Sequence, residues 1–461
     1  MGELPEGRGI LSNFALLLCQ YSKQKAVYHG KKAHHHIYES GYENSRFIAN
    51  WVIQMYGECG LMDDARAVFD KIRCPNTHSW TILLALYALN GHMDHVENVF
   101  CRMTERKVVS WNALMTAHVR IGSKNQAIHV FYRMHCESVQ MDHVSFVCVL
   151  DACCGLHEGK RIHVSLVECG YMRDIVVGTA LLTMYGRYRS VEDVKIVFRN
   201  MVDKDKSCWN AMMAALTQND EGEEALDVFY QMQCIGEKPD IVTFVCVLDG
   251  CASICTTLGQ VIHATIIEHG IEVEHILGTA LVDMYGKHGN LEDAFHVFSK
   301  APHTNVISWN AIISVFAQNG CGSKSLDLFD QMQRQSIKPD YTTFISVLTA
   351  CSHAGLVNLG WYFFVYMGRN YGISITIDHC CCMIDLLGRA GHLEEAEYLL
   401  NKIPLEVDDV TWRSLLGACK IHSDIERGIR IANRCLSLHP VDAAPYVTLL
   451  NIHAASGNEI C

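Results

Sequence analysis

The stretch "SWNAIISVFAQNG", residues 308–320, decides the fold. Its apolar residues Trp309, Ile312, Ile313, Phe316 and Ala317 fall at i, i+3, i+4, i+7 and i+8, which is one stripe of an amphipathic helix. Asn319-Gly320 then stops it. Leu326, Phe329 and Met332 supply a second stripe, and Lys338-Pro339-Asp340 ends that one, so the unit is a helical hairpin of 35 residues, Val306 to Asp340. Trp111-Asn112-Ala113 and Trp209-Asn210-Ala211 open similar stretches, and the three tryptophans stand 98 and then 100 residues apart. A core helix needs the tryptophan and the alanine. It has no need of the asparagine.

The same length, start and end recur at 108–142 and 206–240, which close on Asp142 and Asp240. Two other versions of the hairpin lie between. One, at 46–76, 175–205 and 275–305, carries Met-Tyr-Gly (Met55-Tyr56-Gly57, Met184-Tyr185-Gly186, Met284-Tyr285-Gly286), which reads as a turn signal. The other, at 143–174 and 241–274, carries Phe146 with Val149-Leu150, or Phe244 with Val247-Leu248, and a late glycine and histidine, Gly159 to His163 or Gly259 to His263. The order cycles in threes, and 11–45, 77–107, 341–376 and 377–408 complete twelve repeats. Tandem hairpins that pack only on their neighbours imply an all-α solenoid of helix-turn-helix repeats.

Bulk properties agree with a folded, water-facing chain. Of the 461 residues 49% are hydrophobic and 19% charged, with no apolar run long enough to cross a bilayer, and no membrane partner is expected. The 22 cysteines are scattered through apolar helical patterns, so buried free thiols are the better reading than disulfides. The opening MGELPEGRGI resembles neither a signal peptide nor a transit peptide, and localisation is not readable from it. A net charge of −12 argues against non-specific nucleic-acid binding, although one face of a solenoid can differ from the whole.

With these motifs in this cycle, the chain resembles the pentatricopeptide repeat family, in its plant-type subclass where long, short and standard repeats alternate. The resemblance implies a right-handed α-solenoid superhelix of tetratricopeptide-like hairpins over residues 11–408, preceded by an extension at 1–10. Residues 409–461 differ. "TWRSLLGACKIHSDIERG" in 409–442 resembles the first of two extension repeats found in family members that act in RNA editing, and "APYVTLLNIHAASGN" resembles the start of the second. That repeat stops at Cys461 before its second helix, which implies a truncated chain or a partner covering that end. By the same resemblance the deaminase-bearing C-terminal domain of some relatives is expected to be missing.

The family's mode is one base of single-stranded RNA per repeat, read by a few side chains. By resemblance, the fifth and last residues of a repeat form the reading pair and the second residue stacks on bases. Carried over, Asn112 with Asp142, Asn210 with Asp240 and Asn310 with Asp340 favour uracil; Thr179 with Asp205 favours guanine; Thr279 with Asn305 favours adenine; Asn50 with Asn76 favours cytosine, more loosely. Val109, Val176, Ile276 and Ile307 take the stacking role, and Ser207 departs from it. Val147 and Val245 offer no amide, and Thr81 with Lys107 falls outside the familiar combinations. The implied ligand is 5′-C-n-U-n-G-U-n-A-U-3′. Repeat 143–174 is two residues shorter between Cys153 and Gly159 than repeat 241–274 between Cys251 and Gly259, a change able to bend the groove there. A plainer reading stands beside this one: the asparagines as local hydrogen bonders, and Asp340 as a cap for the next hairpin.

No cofactor, metal site or catalytic constellation is expected. His135-Cys136-Glu137 matches half of a zinc deaminase signature, but the chain has no C-x-x-C. His34-His35-His36 is read through His34, which holds the place of His163 and His263 and so suggests a contact between hairpins. Cys380-Cys381-Cys382 cannot chelate one ion, because neighbouring helix residues point about 100° apart. The function implied is a site-recognition factor for organellar C-to-U editing, in mitochondrion or chloroplast, that binds RNA and recruits a deaminase or editing co-factor at its C-terminal end. The rivals are an RNA stabilisation, splicing or processing factor and a protein-binding scaffold.

Overall fold

A computed structural model of the chain describes residues 5–273, 275–301, 305–402, 409–438 and 444–455. Among them 27 α-helices and one 3-10 turn, Tyr171–Arg173, follow one another, and there is no strand. The helices form two units, Met1–Asn219 and Asp220–Cys461, and the division falls inside repeat 206–240 after its first helix, Lys206–Thr217. In the first unit the helices that open each hairpin, such as Thr77–Leu89, Val108–Arg120 and His143–Ala152, pack one on the next in an unbroken row. The second unit repeats this with Ile241–Cys251, His275–Lys287, Val306–Gln318, Tyr341–Ala354 and Ile377–Arg389. Second helices lean on the first helices of their own and the following hairpin. A row whose first helices are close while its second helices stand apart curves with the first helices inside.

The tryptophans hold consecutive hairpins together. Trp111, Trp209 and Trp309 are buried, each edge-on to a phenylalanine of the preceding second helix: Phe100, Phe198 and Phe298, with centroids 4.8, 4.9 and 4.8 Å away. Burying one such side chain contributes on the order of 2–3 kcal/mol. Asn319 ends its helix as expected, with Gly320 at φ +76° and the Asn319 amide donating to Gly286 O at 3.0 Å.

Met-Tyr-Gly is not a turn, which corrects the sequence reading. Met55-Tyr56-Gly57 lies within the helix Arg46–Glu58, and the other two copies lie within Ile175–Arg187 and His275–Lys287. These are sites of close helix approach. A Cβ on Gly159 would come within 2.4 Å of Met184 Sδ, and one on Gly259 within 2.3 Å of Met284 Sδ. The glycine of the motif accepts the next hairpin: a Cβ on Gly286 would meet Val315 at 2.3 Å. The tyrosine meets the late histidine of the preceding hairpin, with His34, His163 and His263 Nδ1 at 2.9, 2.8 and 3.0 Å from the hydroxyls of Tyr56, Tyr185 and Tyr285. Burial lowers the pKa of all three imidazoles and raises those of the three phenols to about 12.

One boundary also differs. The first helix, Pro5–Lys23, begins within the stretch 1–10 that was set apart as an extension. The shortened repeat 143–174 loses a residue from its first helix, His143–Ala152 against Ile241–Cys251, and another from the loop that follows. The boundary region 403–408 and the end of the second extension repeat, 456–461, lie outside the described residues. Among the described residues the cysteines are free thiols, and burial pushes those of Cys251, Cys351 and Cys419 up to about 12, far from a reactive thiolate.

Candidate nucleic-acid interface

Asn112 sits one residue beyond Trp111 on the helix Val108–Arg120, and Asp142 stands immediately before the next first helix, His143–Ala152. Packing of the two helices brings the side chains together, and Asn112 Nδ2 donates to Asp142 Oδ1 at 2.9 Å. The same Asp142 oxygen accepts the Ser145 backbone N–H at 2.9 Å, closing a capping box on the next helix. In the second unit the arrangement repeats: Asn310 Nδ2 donates to Asp340 Oδ1 at 2.9 Å, and Asp340 Oδ1 accepts the Thr343 N–H at 2.9 Å. The plainer reading and the pairing are therefore both realised, since one carboxylate oxygen caps the helix and holds the amide. Burial pushes the Asp142 carboxyl up, but hydrogen bonds from Asn112 and Ser145 outweigh it and hold the group below its ordinary value. It is an ionised acceptor at neutral pH.

The other pairs are built differently. Thr179 and Thr279 turn their hydroxyls to their own helices, donating to Ile175 O at 2.8 Å and His275 O at 2.7 Å. Asp205 caps the helix Lys206–Thr217 through the Cys208 N–H, and Asn305 caps Val306–Gln318 through the Ser308 N–H, both at 3.0 Å. Asn76 Oδ1 accepts both the N–H and the hydroxyl of Ser79, at 2.9 Å each, while Asn50 Oδ1 is buried with no hydrogen-bond partner. Asn210 and Asp240 fall in different units.

The residues named for stacking are exposed although apolar: Val109 is 58% exposed, Val176 56%, Ile276 68% and Ile307 60%. Sequence reasoning missed Phe47, Val144 and Val242, which hold the same second position in their repeats and are also exposed. The signal was present, since each follows a repeat boundary by two residues. Ser207 and His78 interrupt the stripe. Second, fifth and last residues do converge in space. A cleft of 580 Å³ in the first unit is lined by Asn76, His78, Thr81, Lys107 and Val109, which are such positions from three consecutive repeats. Its size suits a small planar ligand.

The half-signature His135-Cys136-Glu137 lies at the end of the helix Lys124–Cys136, where Glu137 pairs with Arg133 at 3.2 Å. In the cysteine run Cys380 is buried, and Cys381 Sγ lies 2.8 Å from Thr411 Oγ1.

Helical hairpins in tandem, with polar pairs bridging successive first helices beside exposed apolar residues, define a repeat protein with a lined inner face. Comparison with known proteins supplies its kinship. The PPR repeat family matches residues 106–155, 204–253 and 304–370, and the PPR repeat matches 51–74, 78–108, 279–302 and 379–405. In Arabidopsis thaliana, pentatricopeptide repeat-containing protein At2g13600 is 33% identical over 97% of this chain and 85% of its own length. Protein At1g08070, chloroplastic, is 39% identical over 98% of this chain and 62% of its own, and At2g03880, mitochondrial, is 34% identical over 96% and 65%. The chain belongs to the pentatricopeptide repeat family. It spans between about half and two thirds of the length of the first relatives it matches. The crystal structure of the pentatricopeptide repeat protein PPR10 from maize has a TM-score of 0.59 at 16% identity, covering 96% of this chain and 71% of that one, a likeness of fold.

Proposed function

We propose that the chain binds one single-stranded RNA sequence along its first helices, each reading repeat selecting one nucleotide. The observation that carries this is the bonded amide and carboxylate at Asn112–Asp142 and Asn310–Asp340, set beside the exposed apolar residues Val109 and Ile307. A pair that only capped a helix would need no amide, and an apolar residue with no ligand would have no reason to face solvent at the second position of seven repeats. Base stacking contributes about 1–3 kcal/mol per nucleotide, enough for affinity without a strongly basic surface.

The purine assignments have a physical basis in these side chains. A threonine whose one proton is given to its own helix offers a base only acceptor lone pairs, which suits the amino group of guanine or adenine. The partner then decides. Asp205 is acceptor only and suits the guanine N1–H, whereas Asn305, with Oδ1 engaged in capping, has Nδ2 left to donate to adenine N1.

The biological role proposed is recognition of an editing site in an organellar transcript, with the cytidine deamination performed by an enzyme supplied in trans. The alternation of long, short and standard repeats and the extension-like "TWRSLLGACKIHSDIERG" support this assignment. The organelle is supported by relatives whose names place them in mitochondrion or chloroplast. The protein partner joins through the region from residue 409 onward. Selection from a pool of randomised single-stranded RNA at near-physiological salt tests the reading: enrichment of C-n-U-n-G-U-n-A-U is the expected result. No enrichment by a folded sample leaves a protein-binding scaffold, the reading that the net charge of −12 favours. In the plant, loss of one edited cytidine on disruption is expected. Loss of a whole transcript instead assigns stabilisation or processing.

A further inference from the structure

Behind each bonded asparagine lies a hydroxyl that no base-reading scheme based on two residues includes. Ser145 and Thr343 are fully buried, three residues beyond Asp142 and Asp340. Ser145 Oγ lies 2.7 Å from Asn112 Oδ1, and Thr343 Oγ1 lies 2.6 Å from Asn310 Oδ1. Two oxygens so close require a proton between them, and only the hydroxyl has one; it is shared with the aspartate, whose Oδ1 lies 2.8 Å from Ser145 Oγ and 3.0 Å from Thr343 Oγ1. Each hydroxyl also accepts its aspartate's backbone N–H, at 3.3 and 3.0 Å. The amide is thus held at both ends. Its nitrogen gives one hydrogen to the aspartate side chain, and its oxygen takes one from the hydroxyl. Turning it over would set its carbonyl oxygen against the Asp142 carboxylate with no proton between them. One N–H and one carbonyl lone pair remain for a base, in fixed places.

Asn112 and Asn310 are 6% and 7% exposed, so little of either side chain reaches the ligand and its orientation decides what the ligand meets. Uracil and cytosine differ there by an exchange of donor and acceptor at N3 and at the exocyclic group. An amide free to rotate serves either base, and one held at both ends serves one. The first reading pair is the molecule's own contrast. There Ser79 gives its hydroxyl to Asn76, as Ser145 does in part to Asp142, but the Asn50 oxygen receives none and is left buried and unpartnered.

We infer that Ser145 and Thr343 are positioning residues for base selection: each fixes the amide of the asparagine in the preceding repeat and thereby sharpens the choice of uracil over cytosine at that nucleotide alone. The inference rests on the RNA-reading proposal. It adds to each pair a third residue, contributed by the following repeat.

The test is binding of the full chain to synthetic 5′-C-n-U-n-G-U-n-A-U-3′ and to versions with U replaced by C at the third or the ninth nucleotide. Ser145→Ala is expected to reduce the preference for U over C at the third nucleotide roughly tenfold and leave the ninth unchanged, about the size of one intramolecular hydrogen bond. Thr343→Val is expected to do the reverse. Ser145→Thr, which keeps the hydroxyl, retains the wild-type preference. A purely structural role predicts weaker binding to all the RNAs alike, with the ratio unmoved, and that result overturns the inference while leaving RNA reading intact. If the wild-type chain has no preference at the third nucleotide, the RNA-reading proposal itself fails. Should the variants not fold, the wild-type chain still decides: discrimination between U and C at the first nucleotide, facing Asn50, must be weaker than at the third. Equal discrimination contradicts the role assigned to the hydroxyl.

Discussion

Hairpins that carry asparagine at the fifth position and hairpins that carry threonine there solve the same packing problem with different chemistry. Asn112 and Asn310 follow tryptophans that fill the space between hairpins, and their amides reach across to the next repeat. Thr179 and Thr279 follow Gly178 and Gly278, and their hydroxyls turn back to their own helices. The first kind is a bridge between repeats. The second is anchored in its own helix, with Thr179 Oγ1 also 3.2 Å from Cys208 Sγ of the next repeat, and in the proposed reading it leaves the choice of base to the residue ending the repeat. An array of near-identical hairpins can therefore present different hydrogen-bonding edges without altering its backbone.

Removing the packing that supports the bridge should have the largest effect. Trp309→Ala leaves a cavity beside Asn310 and is expected to cost about 3–5 kcal/mol, read by urea denaturation. A loss below about 1 kcal/mol would mean that the tryptophan does not hold the hairpins together. Asp340→Ala removes a cap and the amide's anchor at once. It should cost about 1–2 kcal/mol in stability and abolish the preference for U at the ninth nucleotide. Asn305→Asp sharpens the comparison, because aspartate caps as well as asparagine does but cannot donate. Preference at the eighth nucleotide should change from A to G with the thermal midpoint nearly unchanged. A variant that still prefers A removes the physical basis offered for the purines.

The smallest effect concerns pH. His34, His163 and His263 have folded-state pKa values lowered by burial from an unfolded value near 6.5. Their contribution is complete above that value and is lost as pH falls through it toward the depressed folded values, because the unfolded chain takes up protons more readily. The thermal midpoint should fall between pH 7 and 5.5, and His163→Gln should make that slope shallower. An unchanged slope would place the acid sensitivity elsewhere.

What was legible in the sequence followed from period and repetition. Trp309, Ile312, Ile313 and Phe316 mark a buried stripe by spacing alone, and the Asn319-Gly320 stop is where it was expected. The resemblance named Asn112 and Asp142 as a pair, but their hydrogen bond depends on two helices stacking, which no single helix discloses. Met-Tyr-Gly misled because glycine in a sequence signals a turn more readily than a close helix approach; only the neighbouring Val315 and Leu86 reveal what Gly286 and Gly57 are for. Pro5–Lys23 began earlier than expected because PEGRG lacks apolar periodicity. Phe47, Val144 and Val242 carry the same signal as Val109, an apolar residue at the second position of the repeat, whether or not the repeat has a readable pair. The contact of Ser145 and Thr343 with the amide was not legible, because it too depends on two helices of different repeats stacking.

The central claim is that paired side chains on successive first helices read nucleotides in order. Its most direct test is the affinity of the purified chain, at near-physiological salt, for 5′-C-n-U-n-G-U-n-A-U-3′ against an RNA of identical composition in shuffled order. The account predicts at least tenfold tighter binding to the ordered sequence, about 1.4 kcal/mol or more. Equal affinity for the two, by a chain that melts cooperatively, would contradict it.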